Sequence, residues 1–448
     1  MSPQLHRKNK IILSDYPYQR DVEIRLLLAR LTVFEVSVLQ EILNNSLTIP
    51  LEHLVENLQV DLDQITPVID KFTPSKLLKL EGKKVVVDKE MRKFFETQII
   101  KFEEDFEPGV DFLQGLLAKV PMHILLQWYG LPRTSDHLFQ AILEKFIGAP
   151  RLYERYLAEL DLEDDLLKKI SADVFNSPDL MVKGAELIKK YRLTHSQFEE
   201  LMLHLEFNLV CVLSYQKIGK KWEEIVTPFY EWREYLLHLR SSAPKPITTP
   251  ATVAFTRPEN FAFVVDMQAV LEATLKKPIL LEKKGDAFVL PEKIRETLMP
   301  EVSSAYCSKV IDRILFMHFG KVEDKLLSAQ ESAKNWLKKT PEQRAFTMSR
   351  HPIAVEKGLT RFINTGWNYV DDFVQGFSGI LCGKEKIILK NKGKKWRYAL
   401  PEYSPEERLV IKTTLWDRLF EAGIVNTGLH KGKECFCVTP YGKHILED

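Results

Sequence analysis

Four times along this 448-residue chain a short β-rich run meets a break residue and passes into an amphipathic helix. Val85-Val86-Val87-Asp88 leads into Lys89 to Glu96, and Ile225-Val226-Thr227-Pro228 into Phe229 to Leu237. Phe288-Val289-Leu290-Pro291 leads into Glu292 to Leu298, and Phe436-Cys437-Val438-Thr439-Pro440 into Tyr441 to Leu446. Tyr398-Ala399-Leu400-Pro401, ahead of a helix opening at Ser404-Pro405-Glu406-Glu407, is a looser fifth copy. Proline suits the first helical turn, where its missing N–H removes nothing. The copies are irregularly spaced, which excludes a fixed-period solenoid and points to one supersecondary unit reused with insertions.

The first unit can be followed element by element. Thr32 with Glu35 forms a capping box, and Leu31 with Val36 can close it as a hydrophobic staple. Phe34, Val38, Leu39, Ile42 and Leu43 then recur at helical spacing until Asn44-Asn45. A second helix starts near Pro50. A third follows Asp61 or Thr66, with Pro67 kinking it or standing in its first turn. Leu77 to Leu80, a turn at Glu81 to Lys84, and Val85 to Val87 predict a β-hairpin. Helix, helix, helix, hairpin is the winged-helix order. The last unit repeats it. Ser404 caps, Pro405 takes the first helical position, and Glu406 and Glu407 favour the positive helix end. Ala422-Gly423 stops the helix. Ile424 to Thr427 and Glu434 to Val438 then form a wing around Gly428 to Lys433.

That ending, LFEAGIVNTGLHKGKECFCVTPYGKHIL, is similar to the ending of bacterial helicase-associated winged-helix proteins, relatives of the N-terminal region of XPB-type helicases. The shared features are an apolar helix, Gly423, a short strand, a polar loop, and a strand running into Thr439-Pro440-Tyr441-Gly442. The resemblance implies a non-catalytic module linked to DNA repair or transcription. The sequence departs from the helicases in that no motor follows.

Ser241 to Pro258 holds four prolines among Ser and Thr residues and carries neither helical nor alternating pattern. It divides the chain. Residues 1–102 form an N-terminal winged-helix module, and 103–240 a helical domain with a second winged-helix-like unit. Residues 241–258 are an extended linker, and 259–448 a C-terminal winged-helix domain with a basic hairpin. The expected fold class is therefore mainly α with small β-hairpins, an array of winged-helix-like modules in two lobes. Hydrophobic residues at 45% suffice for a sizeable core, and five scattered cysteines predict a reduced, cytoplasmic chain. Met1 to Lys10 lacks the apolar core of a secretory signal. Leu113 to Leu131 is broken by Lys119, Pro121, His123 and Gln127, so no membrane span is expected.

No catalytic, cofactor-binding or metal-ligating residue is assigned, and no enzyme is expected. Near Gly383-Lys384 the phosphate-loop spacing fails, because Ser378 stands where glycine is needed and Glu385 follows the lysine. Cys435 and Cys437 share one strand face, as half a metal site or, by preference, as core thiols. His195 and Glu199, one helical turn apart, could form an acid/base pair but are expected on a solvated face.

The segment KIILKNKGKKWR supplies the functional hint. Lys386, Lys390, Lys392, Lys394, Lys395 and Arg397 stand there without one acid, around a turn at Asn391-Lys392-Gly393, so the charges are expected to project from an exposed ribbon with Trp396 among them. Together with Lys431 and Lys433 on the last wing they predict contacts to the phosphates of DNA, or of RNA, with weak sequence specificity. The third helices argue against groove reading. Asp61, Asp63 and Asp70 on one, Glu199 and Glu200 on another, and Glu406, Glu407, Asp417 and Glu421 on the last would repel phosphates. Two readings stay open: a non-enzymatic nucleic-acid-associated protein, or a protein–protein adaptor whose basic tips are merely solvated.

Overall fold

The structure is a computed structural model that describes residues 11–132, 137–257, 259–348, 353–377, 381, 387–393, 395–400 and 402–447. It is mainly α with antiparallel sheets of two to four strands, which agrees with the expected class. Among the described residues no helix is long and apolar enough to cross a membrane. Contacts divide the chain into two units, one of residues up to 237 with 387–399, the other of 238–386 with 400–448.

The first unit opens with α1 (Tyr18–Leu28). A module follows: α2 (Val33–Asn44), β1 (Thr48–Pro50), α3 (Leu51–Leu58), α4 (Leu62–Phe72), β2 (Leu78–Glu81), β3 (Lys84–Val87) and α5 (Lys89–Ile99). Thr32 and Glu35 make both bonds of the capping box, and Pro67 sits inside α4. The sheet runs β1–β3–β2, with Leu78 opposite Val87. After α6 (Val110–Leu117), α7 (Met122–Trp128), α8 (Leu138–Ile142) and α9 (Pro150–Glu159) comes a second module. It consists of α10 (Asp165–Asn176), β4 (Val182–Lys183), α11 (Gly184–Tyr191), α12 (His195–Phe207), β5 (Cys211–Ile218), β6 (Lys221–Pro228) and α13 (Tyr230–Ser241). Its sheet runs β4–β6–β5, the same order. Phe102 stacks on Tyr215 with ring centres 3.9 Å apart, so the expected division at 102 carries a shared core.

In the second unit, β7 (Ala254–Phe255) precedes a third module of α14 (Ala262–Lys276), β8 (Ile279–Leu280), an inserted hairpin β9 (Glu282–Lys284) and β10 (Ala287–Val289), and α15 (Glu292–Leu298). That module continues with α16 (Ser304–Phe316), β11 (Gly320–Glu323), β12 (Leu326–Ala329) and α17 (Glu331–Leu337). Beyond α18 (Pro341–Phe346), the fourth module holds α19 (Ile353–Gly358), β13 (Asn368–Tyr369) and α20 (Val370–Gln375). The hairpin β14 (Leu389–Lys392) and β15 (Lys395–Tyr398), which folds with the first unit, interrupts it. The module then closes with α21 (Pro405–Thr413), a wider π-type extension over Thr414–Leu419, β16 (Val425–His430), β17 (Lys433–Val438) and α22 (Pro440–Glu447).

The order helix–strand–helix–helix–strand–strand–helix thus occurs four times, each time with the first strand beside one of the closing pair. Three of the four sequence copies mark a closing strand. The copy at Phe288 falls on the inserted β10, and the third module closes instead at Leu326–Ala329, where Ser328 and Ala329 weaken the β signal. The looser copy at Tyr398 is β15, a hairpin strand. A β-run, a break and a helix describe any strand-to-helix connection, so the pattern cannot tell which strand it marks.

Of the expected linker, residues 241–257 are described, and they are not free. The backbone N–H of Ile247 donates to Trp367 O at 2.7 Å, Ile247 and Val253 are buried, and Ala254–Phe255 pairs with β16 as a fourth strand. Prolines exclude helix, yet they allow an extended segment to lie along a sheet edge.

Candidate functional site

Residues 389–398 form the expected hairpin, with Lys392 opposite Lys395 and Gly393 at φ +74° in the turn. Its placement corrects the reading of a projecting ribbon. Ile387, Leu389, Trp396 and buried Tyr398 pack into the core of the first unit. The Tyr398 hydroxyl donates to Ile147 O at 2.7 Å, the Leu389 N–H donates to Gly148 O at 2.9 Å, and Trp396 meets Phe139 edge to face. Lys395 Nζ lies 2.7 Å from Glu107 Oε2, and Arg397 joins the same carboxylate while its guanidinium sits 4.1 Å from the centre of the Tyr230 ring. Burial alone would raise the Glu107 carboxyl, but the two cations outweigh it and hold it below the usual range. The acid that the local sequence lacks is supplied from far along the chain. Lys390 is half-buried. Lys386 and Lys394 lie outside the described residues, as does the side chain of Lys392.

Lys431 and Lys433 are exposed on the β16–β17 turn, where Lys431 and Gly432 both have positive φ, and Lys433 Nζ is 5.9 Å from the Tyr369 ring centre. This hairpin does present its charge. Elsewhere tip lysines meet acids: Lys83 lies 3.5 Å from Glu52, and Lys217 is 3.1 Å from Glu104. The Cys435 thiol is buried and donates to Gly428 O at 3.3 Å, with Cys437 packed beside it, so this pair faces a core.

The third helices are largely occupied by internal contacts. Arg25 of α1 lies across α12, its Nε 2.6 Å from Glu199 Oε2 and its Nη1 2.7 Å from Glu206 Oε2. Lys101 reaches Glu206 at 2.7 Å, and the Leu213 N–H donates to the same carboxylate at 3.1 Å. Glu199, expected on a solvated face, is therefore fully buried. Burial would raise the Glu206 carboxyl, yet Arg25 and Lys101 bring it down to about 2, while burial takes the Lys101 ammonium down to about 8. In the second unit Lys309 and Arg313 of α16 pair with Asp417 and Glu421. Asp63 and Asp70 of α4 are exposed beside Leu62, Gln64 and Pro67, and so is Glu406 at the start of α21, near exposed Arg408.

Sequence reasoning missed this network, although a signal was present. Arg25 falls at helical spacing with Val22 and Leu28, and Glu199 and Glu206 lie seven apart beside Phe198, Met202 and Leu205. Charges of opposite sign on two apolar faces call for each other.

A cavity of about 660 Å³ opens in the first unit, lined in part by Glu103, Glu104, Glu107, Lys217, Trp222, Thr227 and Arg233. Trp222 Nε1 and Thr227 Oγ1 are buried without a hydrogen-bond partner, and burial together with Asp105 raises the Glu103 carboxyl. Comparison with protein-family models and with curated proteins finds no match to this chain.

Proposed function

We propose that this protein is a non-enzymatic protein–protein adaptor built from winged-helix modules, which receives a basic segment of its partner in the acidic cavity of the first unit. The cavity carries the reading. Its volume suits a few side chains, and of the rim carboxylates Glu104 pairs with Lys217 and Glu107 with Lys395 and Arg397, which leaves Glu103 as the one a cationic segment would meet. The engagement of Lys395 and Arg397 by Glu107 counts against phosphate binding through that hairpin. The resemblance of the C-terminal ending to helicase-associated proteins supports a partner from the machinery of DNA repair or transcription. The unpaired thiols Cys211, Cys307, Cys435 and Cys437 suit a cytoplasmic setting.

The nucleic-acid reading retains one specific support, the exposed Lys431 and Lys433. A salt titration of duplex-DNA binding separates the two. Contacts to about five phosphates give a log–log slope near −4 to −5. The adaptor reading expects no such binding at low salt, and a nuclease-resistant protein partner that is lost from Glu103→Lys. A steep slope abolished by Lys431→Glu with Lys433→Glu, and no effect of Glu103→Lys on any partner, would overturn it.

A further inference from the structure

Three ligand-bearing side chains converge at the first turn of α12. His195 and Glu199, four residues apart, share one helix face, and Glu224 reaches them from β6. One ligand atom of each lies within 4.8 Å of the other two. His195 Nε2 is 2.7 Å from Glu224 Oε1 and 4.0 Å from Glu199 Oε1. Glu199 is 0% exposed; Arg25 donates to its Oε2, and its Oε1, aimed at His195, has no hydrogen-bond partner. A buried carboxylate oxygen left in this way calls for a positive or proton-bearing neighbour. Gly184 admits Glu224 to the cluster, since a Cβ there would stand 2.8 Å from Glu224 Cβ and 3.1 Å from its Oε2.

We propose that His195, Glu199 and Glu224 bind a divalent transition-metal ion, zinc by preference, with a fourth position open to solvent. One imidazole nitrogen and two carboxylate oxygens are a zinc-type donor set, whereas calcium and magnesium favour all-oxygen shells. Metal–ligand bonds of about 2.0–2.2 Å place tetrahedral ligand atoms roughly 3.4 Å apart. His195 therefore draws back from Glu224 by about 0.7 Å and Glu199 closes on His195 by about 0.6 Å, while the two carboxylate oxygens close by at most about 1.4 Å, which χ adjustments of the glutamates supply. The His195 side chain is 34% exposed, so an ion can enter there and keep a water. Arg25 holds Glu199 by the far oxygen and turns the free one inward, as an outer partner does for a metal ligand. An ion here ties the start of α12 to β6 and does not depend on the adaptor reading. The spacing hides it from sequence inspection, because Glu224 comes from a distant strand and no second histidine completes a motif.

The test is a zinc titration of the full chain, stripped with chelator, by calorimetry, with cobalt(II) as a visible-absorbance probe. One ion per chain, cobalt ligand-field bands, and a melting temperature that rises with zinc are expected. His195→Ala and Glu224→Gln each weaken binding by more than the roughly 10–100-fold that loss of an outer partner brings. Unchanged far-ultraviolet circular dichroism guards against misfolding, and Glu224→Gln alone decides if His195→Ala does not fold. Absence of binding, or binding undiminished in Glu224→Gln, overturns the site.

Discussion

One hydroxyl closes the fourth module: Thr439 donates to Gly423 O at 2.6 Å and accepts from the Gly442 N–H at 2.9 Å. Gly442 itself lies against the Ile424 backbone, where an added Cβ would collide with the carbonyl oxygen. Gly442→Ala must push one backbone off another, so a loss of about 3 kcal/mol is expected in denaturant unfolding. Thr439→Ser keeps the donor and acceptor and should lose under about 1 kcal/mol. A Gly442→Ala variant as stable as the parent would refute this account of the motif. A different residue-scale constraint sits in the first unit. Glu231 accepts from the Val110 N–H at 3.1 Å and 3.2 Å, and a Cβ on Gly109 would stand 2.6 Å from its Oε1. Burial lifts the Glu231 carboxyl to about 7, against hydrogen bonds from its own and the Val110 N–H and the charge of Arg397. An unfolded glutamate titrates near 4.3, so between about 4.5 and 7 the native state holds a proton that the unfolded state has lost. Its contribution is thus present at pH 4.5 and is lost as pH rises through 7, by about 3 kcal/mol in all. Glu231→Gln removes this slope. The stability difference between parent and variant should shift by that amount between pH 5 and 8, and a constant difference would refute the assignment.

Elements differ in how far local sequence could announce them. The capping boxes at Thr32, Thr194 and Ser404 are closed by residues three positions away, so helix starts were legible. Hairpins were legible for the same reason, since their partners lie a turn apart. What α12 does was not, because its neighbours come from residues 25 and 101 and from β5. An acid on a helix looks solvated until the cation that covers it is known. Arg25 spans two carboxylates, so Arg25→Met leaves Glu199 and Glu206 buried with Lys101 as the one remaining cation of that network. Removing one partner of a buried pair costs about 3–5 kcal/mol. Urea unfolding of Arg25→Met should show a loss of that size, well beyond the at most about 1 kcal/mol of an exposed pair such as Lys83 with Glu52. A change below 1 kcal/mol would mean that α12 is not held this way.

At the scale of the whole molecule, the order of the chain and the membership of the two units disagree. The hairpin at 387–399 lies inside the fourth module by sequence and folds with the first unit. Composition marked it as basic and exposed, and that was a fair inference while its only known neighbours were local. Its fate was decided by Glu107, by the Phe139 ring and by the carbonyls of Ile147 and Gly148, some 240 to 290 positions away, which no window on the sequence brings together. A solvated ribbon and a docked one predict different responses to removal. Replacing residues 387–399 by a Gly/Ser stretch of equal length strips Leu389, Trp396 and Tyr398 from the core around Leu143, Phe146 and Ile147. Burying one such side chain contributes about 1.5–3 kcal/mol, so opening of this region should become easier by several kcal/mol. Hydrogen exchange followed by mass spectrometry should then show faster exchange over residues 138–148, with β16 and β17 of the second unit unchanged. If the 138–148 amides keep their protection, the hairpin is an appendage after all, and its lysines return as candidates for phosphate contact.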